Sequence, residues 1–450
     1  MKLNFLLITL LLLVAPFAAR SQQPNIIFIF ADDMGYRDLA CYGHPYAKTP
    51  AIDRLASQGT RFTQAYAAGQ TCCPSRTGIM TGIGYYRFGR HTADFDFGDR
   101  VTVTELLNKN GYACGHFGKW HIGMDRSNGV YGFDENKTGG KPDIDSPEGR
   151  DTPIFDAAID FIKRHKDEPF YVNIWGFTTH HPVVSAPNYL SEFAGVTVDR
   201  NDFSDYMQPV FDDCIELGGD LDMSMRHYLA NVYAMDRNVK SVMDVLDELG
   251  LNENTIVVFS SDQGPARPRG IGINATGPDS NRKYLKYDEN MLGDAGEFRG
   301  NKGTVSEGGL RVPFIIRWPG KVNAGVVDKE NVIGGIDWFP AICSLTGVTS
   351  LPDDLDGEDV SDIWLGATRK RQKPLFWNGE PGTTIREGKW KYYVSENGEE
   401  LYDILNDPAE AENLVGKYPK VASKLNKMVL AWKEELPKEY IRTFEYRHQY

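Results

Sequence analysis

The sequence predicts an α/β protein with a large mixed, mostly parallel sheet sandwiched by helices and a small C-terminal α+β domain. Three observations carry this. Short, continuous apolar runs recur at Asn25–Phe30, Phe170–Phe177 and Thr255–Phe259, as expected of strands buried on both faces of a parallel sheet. Segments with helical spacing lie between them. Near Thr349–Gly357 the composition shifts to Pro, Asp and Gly, which marks a boundary. The 450 residues leave room for two or three domains at ~150 residues each. Charged residues make up 25% and apolar residues 41%, which excludes collagen-like, disordered and coiled-coil classes.

The elements follow in order. Met1-Lys2, the apolar run Phe5–Val14 and the small residues Ala15–Ala19 read as a signal peptide over residues 1–22. The run is shorter than the ~20 residues a membrane span needs, and no later run is long and apolar enough, so an exported chain, periplasmic or secreted and without a span, is expected. The main domain is placed at 23–348. It starts with the strand at Asn25–Phe30, and Thr49-Pro50 then reads as an N-cap and first helical position leading into Ile52 and Leu55. Val103–Leu107 reads as a helix and Tyr112–Phe117 as a strand. The strand Phe170–Phe177 precedes the longest helical pattern, Met223–Leu249, with Leu229, Val232, Val239, Val242 and Leu246 on one face. Thr255–Phe259 and Val312–Trp318 are further strands. In the C-terminal domain, placed at 349–450, Lys389–Val394 alternates like a strand and Ala422–Trp432 reads as a helix.

Polar residues gather after the carboxyl ends of the strands: Asp32 and Asp33, His180, Asp262 and Gln263. Ligands of open α/β sheets bind at that edge. The net charge is −13, which argues against non-specific binding of nucleic acid or anionic membranes. Six cysteines in 450 residues are too few for a disulfide-built scaffold.

The run Thr71-Cys72-Cys73-Pro74-Ser75-Arg76-Thr77-Gly78-Ile79-Met80-Thr81-Gly82 resembles the sulfatase signature, C-x-P-S-R followed by an apolar pair and T-G. Gly111-Tyr-Ala-Cys-Gly-His-Phe-Gly-Lys-Trp-His121 is similar to a second signature of that family, departing from its usual small residues at Cys114 and Phe117. Asn25–Gly35, Thr49–Ala56, Lys302 through Glu307-Gly308-Gly309-Leu310-Arg311-Val312-Pro313, and Glu400–Asp403 with Asn406-Asp407-Pro408 also match, in order. The resemblance covers essentially the whole chain after residue 22. It implies an alkaline phosphatase-like fold, a catalytic domain at 23–348 and hydrolysis of sulfate monoesters. It also implies that Cys72 is oxidised to formylglycine by a formylglycine-generating or anaerobic sulfatase-maturing enzyme.

The chemistry fits. A thiolate would form a sulfur adduct with no easy exit. A hydrated aldehyde instead attacks with one hydroxyl and expels sulfate through the other, splitting one hard step into two. Three carboxylates, Asp32, Asp33 and Asp262, with the Gln263 amide oxygen suit a hard cation. The resemblance implies Ca²⁺ held by these four and the modified Cys72, with Gln263 replacing the commoner Asn. By the same resemblance Arg76 holds the formylglycine hydrate, Lys119 and Lys302 contact sulfate oxygens, and His121 is expected as the base for hemiacetal breakdown and His180 as the acid at the leaving oxygen. Arg299 and His181 rival Lys302 and His180. If Cys72 becomes an aldehyde, five thiols remain, so at most two disulfides can form within the chain.

Substrate choice is assigned to the segment after the nucleophile helix, with Arg87, Arg90 and His91, and to the stretch Pro265–Gly300 with Arg267, Arg269, Arg282 and Lys283. Basic and aromatic residues suit an anionic sugar. The expected substrate is a sulfated polysaccharide or oligosaccharide, either an algal polymer such as ulvan or carrageenan or a glycosaminoglycan. A phosphonate or phosphate ester hydrolase of the same superfamily and a non-catalytic carbohydrate-binding relative are the alternatives.

Overall fold

The computed structural model describes residues 23–138, 145–183, 186–268, 287–379 and 382–441. The expected signal peptide, Arg269, Arg282 and Lys283 lie outside the described residues.

The first nine strands in chain order are β1 (Asn25–Asp32), β2 (Thr60–Phe62), β3 (Ala65–Tyr66), β4 (Ala113–Gly118), β5 (Glu135–Thr138), β6 (Phe170–Thr179), β7 (Thr255–Ser261), β8 (Phe314–Arg317) and β9 (Val326–Asp328). All but β3 join one eight-stranded sheet in the order β5-β4-β6-β1-β7-β8-β2-β9. Strands β5, β4, β6, β1 and β7 are mutually parallel. β8 alone runs antiparallel to both its neighbours. The run predicted as a strand at Val312–Trp318 is therefore the element that makes the sheet mixed. All eight residues of β1 are buried, which explains its unbroken apolar character: helices cover both its faces, and neither face can be polar.

Two cores follow from the alternation of side chains across the sheet. Ile27 and Ile29 point into one, with Phe155, Leu229, Val239 and Leu246. Ile26, Phe28 and Phe30 point into the other, with Trp175, Trp338 and Trp364. The helix Leu221–Glu248 buries the predicted face. No helix among the described residues is long and apolar enough to cross a membrane.

β10 (Ile333–Gly334) pairs with β3. The C-terminal part is an antiparallel sheet of β11 (Leu375–Asn378), β12 (Gly382–Glu387), β13 (Trp390–Ser395) and β14 (Gly398–Asp403). The helix Pro419–Glu434 packs on it through Ala422, Leu425 and Val429. Val360, Ile363 and Trp364 belong to the core under Phe28, so the chain stays on the large sheet for some residues past the composition shift.

The N-cap reading at Thr49 needs one addition. Thr49 occupies the position, but its side chain caps nothing. Its hydroxyl donates to Asp53 and accepts from the Ala40 N–H. The orphan N–H groups of Ala51 and Ile52 go instead to Asp236 Oδ1, at 2.9 and 2.8 Å, from the distant helix Leu221–Glu248.

Candidate active site

Four neighbouring parallel strands deliver the site. β4 ends beside Lys119, β6 ends before His180, β1 ends in Asp32, and β7 ends before Asp262 and Gln263. Because the four are adjacent in the sheet, segments far apart in sequence meet at one edge. Cys72 enters from the side as the first residue of the buried helix Cys72–Thr81. Lys302 arrives on the loop before the short helix Glu307–Leu310. That short helix packs on Gly264, where a Cβ would lie 1.8 Å from the Gly308 carbonyl oxygen; only glycine fits.

Asp33 has φ +63°, a conformation that Asp tolerates better than most residues. Its N–H donates to Asp262 Oδ1 at 3.0 Å, and its carbonyl accepts from Thr179 Oγ1 at 3.1 Å. This turn directs both Asp32 and Asp33 at Cys72. The Cys72 Sγ lies 3.5 Å from Asp32 Oδ1 and 3.9 Å from Asp33 Oδ1. Ligand atoms of Asp32, Asp33, Cys72 and His180 all fall within 4.8 Å of one another.

Each buried carboxylate has a cation. Lys119 Nζ is 2.6 Å from Asp32 Oδ2, and Lys302 Nζ is 2.6 Å from Asp33 Oδ1. Arg76 donates through Nε and Nη2 to Asp262 Oδ2, at 3.1 and 2.8 Å, and through Nη1 to the Lys119 carbonyl at 2.8 Å. Its guanidinium carbon sits 5.1 Å from the Trp175 ring centroid and 5.5 Å from that of Phe30, which fixes the plane. Three cations against three carboxylates leave the cluster near neutral.

Burial opposes ionisation of all three acids, and the neighbours decide the outcome. Lys119, His180 and Arg76 overcome burial and hold Asp32 well below its usual range. Burial wins at Asp33, despite Lys302, and raises it. Burial and the adjacent Asp32 push Asp262 up to about 7. Burial also pushes the Cys72 thiol up to about 12, so the unmodified side chain is no thiolate nucleophile. His121 and His180 are lowered by burial first and by Lys119 next.

His180 Nδ1 lies 2.8 Å from the His181 carbonyl. A carbonyl only accepts, so Nδ1 carries the proton and Nε2 faces inward, 3.9 Å from Asp33 Oδ2. A neutral ring would there set a lone pair against a carboxylate. The arrangement calls for a proton, a cation or a substrate group between them.

The fit to a hard divalent cation can be tested on Gln263. Its Nε2 is directed at Asp33 Oδ1 and lies 3.6 Å from Cys72 Sγ, while its buried Oε1 has no hydrogen-bond partner. Turning the amide over would aim Oε1 at the carboxylates, where only a cation could lie between. Asp32, Asp33, Asp262 and Gln263 then offer an oxygen-only donor set that fits such an ion.

The rivals separate. Arg299 pairs with Glu400 and Glu410 of the C-terminal part, and Lys302 is the cation at Asp33. The His181 ring lies tilted against that of His180, centroids 4.4 Å apart. Among the substrate candidates, Arg87 is tied to Asp356 and Glu435, at 2.8 and 2.9 Å. His91 Nδ1 lies 3.3 Å from Asp94, and Arg90 bridges to Ile441. Arg267 pairs with Asp213. All six cysteines are unpaired.

Sequence reasoning missed several buried polar residues. Asp38 receives N–H groups of Gly35 and Asp294 at 2.5 and 2.8 Å and the Tyr228 hydroxyl at 2.5 Å, bracing the Asp33 turn. Glu307 meets Lys391 at 3.0 Å and Arg311 at 3.2 Å. Arg150 and Asp151 hold the loop of His180. Glu307 and Arg311 lie in a segment that resembles the family, but a charged residue looks the same in sequence whether it is buried or solvated, so nothing there marked their burial, and no pattern marked Asp38, Arg150 or Asp151.

The sulfatase family profile matches residues 24–348. A profile described as N-sulphoglucosamine sulphohydrolase, C-terminal, matches residues 295–435. An N-acetylgalactosamine-6-O-sulfatase of Bacteroides thetaiotaomicron is 27% identical, covering 91% of this chain and 93% of its own. An ulvan-active sulfatase of Formosa agariphila is 27% identical, covering 94% of this chain and 85% of its own. The crystal structure of Ps i-CgsB with k-i-k-neocarrahexaose aligns with a TM-score of 0.75 at 24% identity, covering 94% of this chain and 96% of that one, a likeness of fold. With its sheet edge, its C-x-P-S-R helix and these matches together, the chain belongs to the sulfatase family and hydrolyses sulfuric esters.

Proposed function

We propose that this chain is an exported sulfatase that removes sulfate from a sulfated polysaccharide or oligosaccharide, using a formylglycine made from Cys72 and a Ca²⁺ ion. The observation that carries the reading is Cys72 at the start of a buried helix, aimed at Asp32 and Asp33. The polymer assignment draws on the names of the relatives, one acting on N-acetylgalactosamine 6-O-sulfate and one on ulvan.

The aldehyde hydrate supplies one hydroxyl to attack sulfur and a second whose deprotonation releases sulfate. Asp32, Asp33, Asp262 and Gln263 would hold Ca²⁺, and the bound ion would supply positive charge favouring an ionised attacking oxygen. Arg76 ties the Cys72 helix to Asp262 and to the Lys119 carbonyl. Lys119 and Lys302 turn their Nζ groups to the sulfate oxygens as charge develops there. His121, kept neutral by burial and by Lys119, takes the proton in the release step. His180 Nε2 gives a proton to the leaving sugar oxygen, while Nδ1–H stays on the His181 carbonyl. An anionic ester bound beside it favours the charged ring. Arg90 and His91 remain the candidates for recognising the sugar.

Mass spectrometry of the tryptic peptide spanning Cys72, from protein produced with a maturation enzyme, tests the reading. An aldehyde in place of the thiol is expected. Active protein carrying only the thiol, or faster turnover of aryl phosphate than of aryl sulfate, would overturn it.

A further inference from the structure

β6 ends at Thr179, and His180 follows on a loop that no strand ladder supports. The support comes from Arg150-Asp151, just before the helix Thr152–Arg164. Asp151 is 1% exposed. Its Oδ1 accepts the Phe177 N–H at 3.0 Å, and its Oδ2 accepts the N–H groups of Phe177 and Thr178, both at 3.0 Å. Arg150 is 3% exposed. Its Nη1 donates to the carbonyls of His180 and Pro182, both at 2.7 Å, and its guanidinium lies 5.5 Å from the Phe177 ring centroid. One dipeptide thus binds backbone donors and acceptors on both sides of His180.

The choice of residue is informative. Arg150 makes no ion pair with a carboxylate among the described residues, and its buried Nε has no hydrogen-bond partner. A guanidinium buried this way is costly, and two carbonyls alone could be satisfied by a neutral amide. A planar donor stiffened against an aromatic ring instead fixes the loop in angle as well as in distance.

We propose that Arg150 and Asp151 are positioning residues that hold His180 where its Nε2 can protonate the leaving oxygen. This rests on the reading of His180 as that proton donor. In the step concerned, the attacking hydroxyl has already released its proton to solvent, and a bond forms between its ionised oxygen and sulfur. The bond from sulfur to the ester oxygen breaks, its electron pair stays on that oxygen, and the His180 proton moves there.

Such a role shows in leaving-group dependence. A nitrophenolate departs without a proton, and a more basic phenolate needs one. The kcat values of Arg150→Met, Arg150→Lys, Asp151→Asn and, as control, His180→Gln are measured on aryl sulfates graded from 4-nitrophenyl to unsubstituted phenyl sulfate, alongside thermal melts. Arg150→Met is expected to lose roughly 10- to 100-fold more on phenyl than on 4-nitrophenyl sulfate. His180→Gln should show the same steepening, and Arg150→Lys should recover part of the loss. Should Arg150→Met fail to fold, Arg150→Lys and Asp151→Asn carry the comparison. Equal losses on all esters, with His180→Gln still selective, overturn the clamp alone. A His180→Gln variant without selectivity overturns the reading of His180 and the clamp with it.

Discussion

Asp236 shows how a single residue links burial to pH. It is fully buried, and burial raises its carboxyl to about 7 despite the N–H donors of Ile52 and Ala51. In the unfolded chain the same group titrates near ~4. Between these values the unfolded state has released its proton and the folded state keeps it. Stability from this group therefore falls as pH rises from about 4 to about 7, and the penalty is complete above that. Asn in its place keeps the oxygen that accepts from Ala51 and Ile52 and removes the charge. Thermal melts at pH 5 and pH 8 should show Asp236→Asn gaining on the natural protein by on the order of 1–3 kcal/mol at the higher pH. An equal difference at both pH values would sink the assignment. Residues of this kind were invisible in sequence. Asp32 and Asp33 were legible because they stand next to an apolar strand, whereas Asp236 sits in a helix like any solvated acid.

At the scale of elements, the loop 299–310 carries Lys302 and is bound to the C-terminal sheet. Lys391 on β13 contacts Glu307 and Glu410, both at 3.0 Å, and all three are almost fully buried. Burial opposes the charge on Glu307, but Lys391, Arg311 and Arg386 outweigh it and hold the carboxyl down. Lys391→Met takes one cation from two buried carboxylates, leaving Glu307 to Arg311 and Glu410 to Arg299, which costs about 1–3 kcal/mol. A lower denaturation midpoint with unchanged m-value is the expected result, together with a fall in kcat as the Lys302 loop loosens. A midpoint within error of the natural protein would contradict it. The strand at Lys389–Val394 was legible from its alternation. Its ion pair across to Glu307 was not, because period-2 patterning says which side chains share a face and nothing about what covers that face.

For the whole molecule, the acidic sum of −13 coexists with a site in which Arg76, Lys119 and Lys302 balance Asp32, Asp33 and Asp262. A divalent ion held there would tip the edge positive and link the ends of β1 and β7 to the Cys72 helix. Chelation should abolish turnover and lower the melting temperature, and added Ca²⁺ should restore both, with about 2.7 kcal/mol of stabilisation at a hundredfold excess over Kd. A melting temperature indifferent to chelator and Ca²⁺ alike would remove the ion from the account. The sequence by itself determined the fold class, the long buried strands of the main sheet and the segment that carries the candidate nucleophile Cys72, since buried parallel strands must be continuously apolar and the C-x-P-S-R spacing is local. Tertiary structure alone decided the neighbours. It placed β4, β6, β1 and β7 side by side, selected Lys302 over Arg299, tied Arg87 to Asp356 and Glu435, and set Arg150 and Asp151 behind His180. Strand order and the pairing of distant charges depend on which segments pack together, and the energy of that packing is spread over the whole core rather than written in any one segment.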